Sequence, residues 1–330
     1  MRTLRLHGPG DLRLHEEPVP VPSAGKKLLH VTTVGICGSD LHWFHEAGIG
    51  DDHLERPLIL GHDFAALTEN GQRVAVDPAI PCGVCEYCIR GDPNLCQNLY
   101  FAGQGDQDGG LRERIVWPER CLVPLTEALS DADGAMLEPL GIAIHAVDLA
   151  HLGVGMAVGV FGSGPIGLLI MQLARLAGVS TIIATDVLPH RVEAARTFGA
   201  DEAHLVIPGQ ANPAMATFGK QGLDVVFEAA GENSAVEMAI AAARPGGKVI
   251  VVGIPSDDRT SFSASIPRRK GLTIKLVRRM KLTYPRAVQL VESGKVNVRS
   301  LVTHSFPLDE YGEAFNVASR REGLKVMITL

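Results

Sequence analysis

No stretch of this 330-residue chain is long enough to cross a bilayer. The longest apolar runs, such as Leu168–Met171, fall far short of the roughly 20 residues a transmembrane helix needs. There is no excess of basic charge. Thirty-one Lys and Arg against thirty-seven Asp and Glu leave a net charge of −6, which argues against nucleic acid or an anionic membrane as the partner. Met1 to Gly10 has no apolar h-region and no cleavage signature. No internal repeat and no low-complexity segment interrupts the chain. These absences predict a soluble, cytoplasmic globular protein acting on small molecules.

What is present is apolar material for two cores: 46% of residues are hydrophobic and 21% charged, at a length that suits two domains. Up to about residue 140 the chain is rich in Pro, Gly and short β-branched runs such as Leu28–Val34, Arg73–Val76 and Arg114–Val116. This texture predicts an antiparallel, loop-rich β domain. After Glu138 it changes. Val158–Phe161, Thr181–Thr185, Asp224–Ala229, Lys248–Val252 and Leu272–Val277 read as buried strands, with helical spacing at Ile166–Leu176, Arg191–Phe198 and Ala235–Ala243. Alternating strands and helices predict a doubly wound parallel sheet. The remainder opens on a helical stretch and ends in a strand, Lys325–Leu330. The expected division is 1–141, 142–280, and a return segment, 281–330.

Gly162-Ser163-Gly164-Pro165-Ile166-Gly167 matches G-x-G-x-x-G, and it leaves a predicted strand to open a predicted helix. Gly162 allows the tight turn, Gly164 a close approach of backbone to a pyrophosphate, and Gly167 close packing of helix on strand. Pro165 at the helix start loses no hydrogen bond, and the helix N-terminus offers N–H groups to phosphates. Asp186 follows the next strand, nineteen residues after Gly167, with no adjacent Arg. A carboxylate there bonds a ribose 2′-hydroxyl and repels a 2′-phosphate, which favours NAD over NADP. Ile166 and Arg191 complete the expected cofactor set in this region.

Of six cysteines, Cys82, Cys85, Cys88 and Cys96 fall within fifteen positions. In a chain of this kind such a cluster points to metal before disulfides. Four thiolates in one loop suit a closed, structural zinc site. Cys37 and His62 stand apart in Gly-flanked loops and suggest a second metal that keeps an open position. Asp40 is placed to bond the far nitrogen of His62. Cys121 reads as a small buried hydrophobe.

Taken together, Gly35-Ile36-Cys37-Gly38-Ser39-Asp40-Leu41-His42, Gly61-His62-Asp63, the four-cysteine stretch, Glu138-Pro139-Leu140, the glycine loop, Leu301-Val302-Thr303-His304 and Phe306-Pro307-Leu308 resemble the zinc-containing medium-chain alcohol dehydrogenase family, in its sorbitol (polyol) dehydrogenase branch. The resemblance covers nearly the whole chain. It implies a GroES-like, β-rich catalytic domain, split in sequence around a Rossmann domain. It implies two zinc ions per chain and NAD. It implies a carboxylate as third ligand to the catalytic zinc beside Cys37 and His62, either Glu138 or Asp63. The family usually has Glu where this chain has Asp63, one methylene shorter, so Glu138 is the expected ligand and Asp63 its alternate.

The same resemblance makes Ser39 the acceptor of the substrate proton and His42 its route to solvent. Trp43 and Phe101 fall at aromatic pocket positions, and Arg279 at a position near cofactor and substrate. Arg278 stands where the branch has an aromatic, making the pocket wall more basic. The implied reaction is oxidation of a secondary alcohol, a polyol first and a sugar acid or threonine-type amino-alcohol as alternatives, with a homodimer or homotetramer paired along the edge strand. A silent NAD-binding protein is the non-enzyme alternative, opposed by the joint presence of Cys37, Ser39, His42, His62 and Glu138.

Overall fold

The computed structural model describes residues 1–207, 221–256 and 258–330. These form two compact units: Met1–Gly141 with Lys281–Leu330, and Ile142–Met280.

In the first unit a long strand, Lys26–Ile36, organises a seven-stranded sheet. It pairs antiparallel with Asp63–Thr68, Arg114–Pro118 and Lys325–Thr329. Arg73–Val76 and Leu122–Pro124 extend the sheet beyond Asp63–Thr68, and Val302–Pro307 extends it, in parallel, beyond Lys325–Thr329. The return segment therefore enters the sheet as two of its strands. A smaller sheet sets Arg2–Gly8 between Asp11–Glu16 and Leu58–Ile59. The apolar sides meet in a core that includes Leu29, Val31, Val34, Trp43, Phe64, Trp117 and Phe315. The N-terminal hairpin and the helix Gly38–Glu46 have no counterpart in the periodicity reading.

The second unit is a parallel sheet of six strands in the order Glu202–Leu205, Thr181–Asp186, Ala157–Phe161, Leu223–Glu228, Ala243–Val251, Thr273–Leu276. Counted along the chain, that order is 3-2-1-4-5-6, the doubly wound arrangement whose direction reverses beside its first strand. Five strands were expected; Glu202–Leu205 is too short and polar to register as one. Helices Pro165–Leu176, Pro189–Thr197 and Asn233–Ala242 lie where helical spacing predicts them. Thr273–Leu276 closes the sheet at one edge, with Leu276 exposed. No helix among the described residues is long and apolar enough to cross a membrane.

Candidate active site

Two neighbouring strands of the first unit bring the isolated Cys37 and His62 together. Cys37 follows the strand Lys26–Ile36 and precedes the helix Gly38–Glu46; His62 precedes the strand Asp63–Thr68. Gly35 and Asp63 are register partners across those two strands. As a result Cys37 Sγ, a ring nitrogen of His62 and a carboxylate oxygen of Asp63 all lie within 4.8 Å of one another.

Asp40, one turn into the helix, ties the two loops together. Its Oδ2 accepts the Cys37 N–H at 2.9 Å and its Oδ1 the Gly61 N–H at 3.0 Å. Oδ1 also lies 3.4 Å from His62 Nδ1. This turns His62 Nε2 toward Ser39 Oγ, 3.2 Å away, and toward Asp63 Oδ1, 3.7 Å away. Asp40 thus faces His62 Nδ1 at ion-pair distance, short of the expected hydrogen bond, and Ser39 is brought into the same group.

Lys325 is a residue that sequence reasoning missed. It opens the last strand and is 3% exposed, and its Nζ donates to Asp63 Oδ2 at 2.5 Å. Its path crosses Gly35, where a Cβ would stand 2.6 Å from Lys325 Cε. The signal was a single lysine heading the otherwise apolar run Val326-Met327-Ile328.

Charge is unevenly balanced here. Burial opposes a charged His62, but Asp40 and Asp63 hold it protonated well above the usual histidine range. Burial and the Asp63 charge push Glu138 well above the usual carboxylate range. Against burial and the Asp63 charge, the hydrogen bond from His62 and the charge of Lys325 draw the Cys37 thiol down. Asp63 Oδ1, fully buried, has no hydrogen-bond partner among the described residues. A thiolate, an imidazole and an orphaned carboxylate oxygen, with a surplus of acids around them, fit a divalent cation such as zinc.

The grouping puts Asp63, the alternate to Glu138 as third ligand, beside Cys37 and His62. Glu138 is buried and charge-coupled to the centre, but the donor atoms that converge with Cys37 and His62 include Asp63's. Asp63 is the shorter side chain; its strand carries it in beside Gly35, and Lys325 occupies its other oxygen.

Trp43 is 0% exposed and packs in the core, on the buried helix face that it shares with Ser39 and Asp40. Phe101, 5% exposed, has its ring centroid 5.4 Å from that of His62 and does border the centre. His42 lies on the same helix with its Nδ1 3.7 Å from Glu46.

Cys82, Cys85, Cys88 and Cys96 also gather their sulfurs within 4.8 Å of one another. The sulfurs of Cys85 and Cys88 are 3.5 Å apart and those of Cys82 and Cys88 4.0 Å. Four sulfurs at about 2.3 Å from one zinc stand about 3.8 Å apart in a tetrahedron. The N–H groups of Val84 and Cys85 draw the Cys82 thiol down to about 6, while burial pushes Cys88 up to about 12. Cys121 is buried away from them, as a core residue.

In the second unit the glycine loop leaves the strand Ala157–Phe161 where the sheet order reverses. Gly162 has φ +98°, and a Cβ there would meet Ala229 C at 2.6 Å. A Cβ on Gly167 would stand 2.0 Å from Gly162 O. Gly164, Pro165 and Ile166 are the partly exposed residues of the loop, at the N-terminus of the helix Pro165–Leu176. Asp186 ends the next strand and accepts N–H bonds from Ser163 at 2.7 Å and Leu188 at 2.9 Å, which fixes it against the loop. The Arg191 guanidinium lies over Gly164, its Nη1 3.4 Å from where a Cβ would be. Arg278 and Arg279 follow the edge strand; Arg278 is exposed and Arg279 has φ +53°. Backbone amides presented without side chains at a helix N-terminus, with a carboxylate beside them, fit a dinucleotide.

Such a pair of units, one gathering a thiolate, an imidazole and a carboxylate and one shaped for a dinucleotide, defines a metal-dependent oxidoreductase. The Alcohol dehydrogenase GroES-like domain matches residues 23–127 and the Zinc-binding dehydrogenase family matches residues 165–293. Sorbitol dehydrogenase of Bacillus subtilis (strain 168) is 33% identical over 341 residues, covering 99% of this chain and 97% of the relative. L-idonate 5-dehydrogenase of Escherichia coli superposes with a TM-score of 0.92 at 27% identity, covering 100% of this chain and 98% of its own. A short chain alcohol dehydrogenase of Escherichia coli CFT073, solved with NADH, superposes with a TM-score of 0.89 at 28% identity, covering 100% and 99%. The chain belongs to the zinc-containing medium-chain alcohol dehydrogenase family, sorbitol dehydrogenase-like branch, and is an oxidoreductase acting on CH–OH groups.

Proposed function

We propose that the chain oxidises a secondary alcohol of a polyol to a ketone, with NAD as hydride acceptor. The observation that carries this reading is the buried convergence of Cys37, His62 and Asp63, with Asp63 Oδ1 left without a partner. These three residues would hold the catalytic zinc, with Glu138 beside them as a further carboxylate. Cys82, Cys85, Cys88 and Cys96 would hold a second, structural zinc. When bound, zinc supplies Lewis-acid polarisation of the substrate hydroxyl and NAD supplies the hydride acceptor.

Ser39 would take the hydroxyl proton, a role supported by its Oγ lying 3.2 Å from His62 Nε2. His42, whose side chain is 20% exposed, would pass that proton outward. Phe101 would wall the substrate side and exclude water. Gly162, Gly164, Pro165, Ile166, Gly167 and Arg191 would receive the pyrophosphate, Asp186 the ribose, and Arg279 the cofactor's far end. Asp186 supports NAD over NADP, because a buried carboxylate repels a 2′-phosphate. The free thiol cluster suits a reducing, cytoplasmic setting. The edge strand Thr273–Leu276, with Leu276 exposed, supports pairing of two copies, in a dimer or tetramer.

A second reading, a sugar acid as substrate, is favoured by exposed Arg278 and by the likeness to L-idonate 5-dehydrogenase. Charged hydrogen bonds of about 1.5–3 kcal/mol would give tenfold or greater preference for the anion. The test is NADH formation at 340 nm with matched polyols and aldonates, in wild type and Arg278→Ala. Absence of turnover on every secondary alcohol in the zinc-loaded protein overturns the reading. Polyol preference unchanged by Arg278→Ala removes the second one. Asp186→Ser is expected to erode the preference for NAD; a wild type that works better with NADP refutes the role given to Asp186.

A further inference from the structure

Glu228 ends the strand Leu223–Glu228 and is fully buried, yet it has no place in the chemistry above. Its Oε1 accepts the N–H groups of Ala230 at 2.8 Å and Gly231 at 2.7 Å. Its backbone carbonyl accepts those of Val252 at 2.8 Å and Gly253 at 3.1 Å. One residue thus ties its own loop to the loop after the neighbouring strand, Ala243–Val251.

The glycine loop joins the same assembly. Ala229 donates to Phe161 O at 2.7 Å, and Gly162 packs directly on Ala229 and Ala230. On the other side, a Cβ on Gly231 would stand 2.5 Å from Ile254 O, and one on Gly253 2.2 Å from Gly231 N. Three loops therefore touch backbone to backbone, with the Glu228 side chain among them. They follow three adjacent strands at the carboxyl end of the sheet, where its order reverses, which is the edge at which open parallel sheets take ligands.

An acid is a costly residue to bury for packing alone. Burial pushes the Glu228 carboxyl up, and the N–H groups of Ala230, Gly231, Glu232 and Gly253 pull it back down. What the side chain provides that an apolar residue would not is an acceptor for two loop amides.

We propose that Glu228 is a positioning residue for the dinucleotide: by capping Ala230 and Gly231 while its carbonyl holds Val252 and Gly253, it sets the spacing of the three loops that receive the cofactor. This rests on the dinucleotide reading of the second unit. Glu228→Met keeps the length of the side chain and removes the acceptor; Glu228→Gln keeps one acceptor oxygen.

In the zinc-loaded full chain, NADH binding is titrated by fluorescence, and amide hydrogen exchange is followed without cofactor. Glu228→Met is expected to weaken NADH about tenfold or more, with faster exchange at Ala230, Gly231 and Gly253, while Glu228→Gln stays within about threefold of wild type. Glu228→Met that melts earlier but binds NADH as wild type does overturns the proposal, because the role is then only structural. Should Glu228→Met not fold, Glu228→Gln decides: faster exchange at Ala230 and Gly231 with unchanged NADH binding also overturns it. Wild type that binds neither NADH nor NADPH refutes the dinucleotide reading itself, a result separate from either of these.

Discussion

The four-cysteine lobe and the Cys37–His62–Asp63 centre gather metal-type donors in the same unit by different means. The lobe takes all four from one stretch, Cys82 to Cys96, and supports them with its own backbone: Cys82 N–H points to Cys96 Sγ and Cys85 N–H to Cys82 Sγ. The centre takes donors from two strand ends, and its support comes from elsewhere, from Asp40 on a helix and Lys325 on the last strand. Val84 and Ile89 on the lobe are exposed, whereas His62, Asp63 and Glu138 are buried. A local cluster on a lobe with exposed apolar residues contributes mainly to holding a loop. A non-local, buried one has its charges set by its neighbours, which is the condition for chemistry.

The largest effects should separate the two. Cys37→Ser is expected to lose one of two zinc ions and at least about a thousandfold in kcat, roughly 4 kcal/mol of transition-state stabilisation, with melting little changed. Cys85→Ser is expected to lose the other zinc and several kcal/mol of stability, because structural zinc contributes folding free energy. Elemental analysis with thermal melting reads both. If Cys37→Ser destabilises as much as Cys85→Ser, the contrast between the two sites is lost.

The difference in construction also decides what sequence reading can reach. C-x2-C-x2-C-x7-C is legible because the lobe's geometry is local. The glycine loop and its sheet are legible because strand, turn, helix and acid recur at fixed offsets from Gly162 to Asp186. The parallel sheet is legible from runs of buried apolar residues, and Glu202–Leu205 escapes because only Ala203 in it is buried. The centre is only half legible. Cys37 and His62 stand out by their glycine flanks, but the partner of Asp63 lies 262 residues away, across a pairing that no spacing reports. Trp43 lies on the buried face of its helix with Ser39 and Asp40 and packs in the core, a burial that its position in the motif does not report.

A smaller effect sharpens the account of the centre. Asp63→Asn is expected to weaken zinc at the centre by about 10- to 100-fold and to leave the lobe's zinc in place. Glu138→Gln is expected to cost less than tenfold in zinc affinity, because burial already disfavours the charge of Glu138. Competition with a chromophoric chelator measures both. Glu138→Gln costing more than Asp63→Asn would return Glu138 to the place first expected of it.

A last comparison, read in stability and not in zinc or turnover, sets two aspartates side by side, one in the lobe and one at its stem. Asp77 precedes the lobe, accepts the Ala79 N–H at 3.0 Å, and is pushed up by burial to about 6. Asp92, inside the lobe, is half-buried and is held down by hydrogen bonds from Lys281 and Arg90. The signs are opposite. Between roughly pH 4 and 6 the folded chain keeps a proton on Asp77 that the unfolded chain has released, so Asp77 makes stability fall as pH rises through that window. Asp92 is favoured as the anion in the folded state, so its contribution is present above the ordinary carboxylate range and is lost as pH falls below it. Asp77→Asn should therefore raise stability above pH 6, by at most about 3 kcal/mol for a shift of about two units, and should change little at pH 4. Asp92→Asn should lower it slightly, and less in high salt, because exposed ion pairs are screened. Urea unfolding at pH 4, 6 and 8 reads both. Equal responses of the two variants at pH 8 would mean that the body of the unit imposes no more desolvation than the lobe does, and that burial does not distinguish the two clusters.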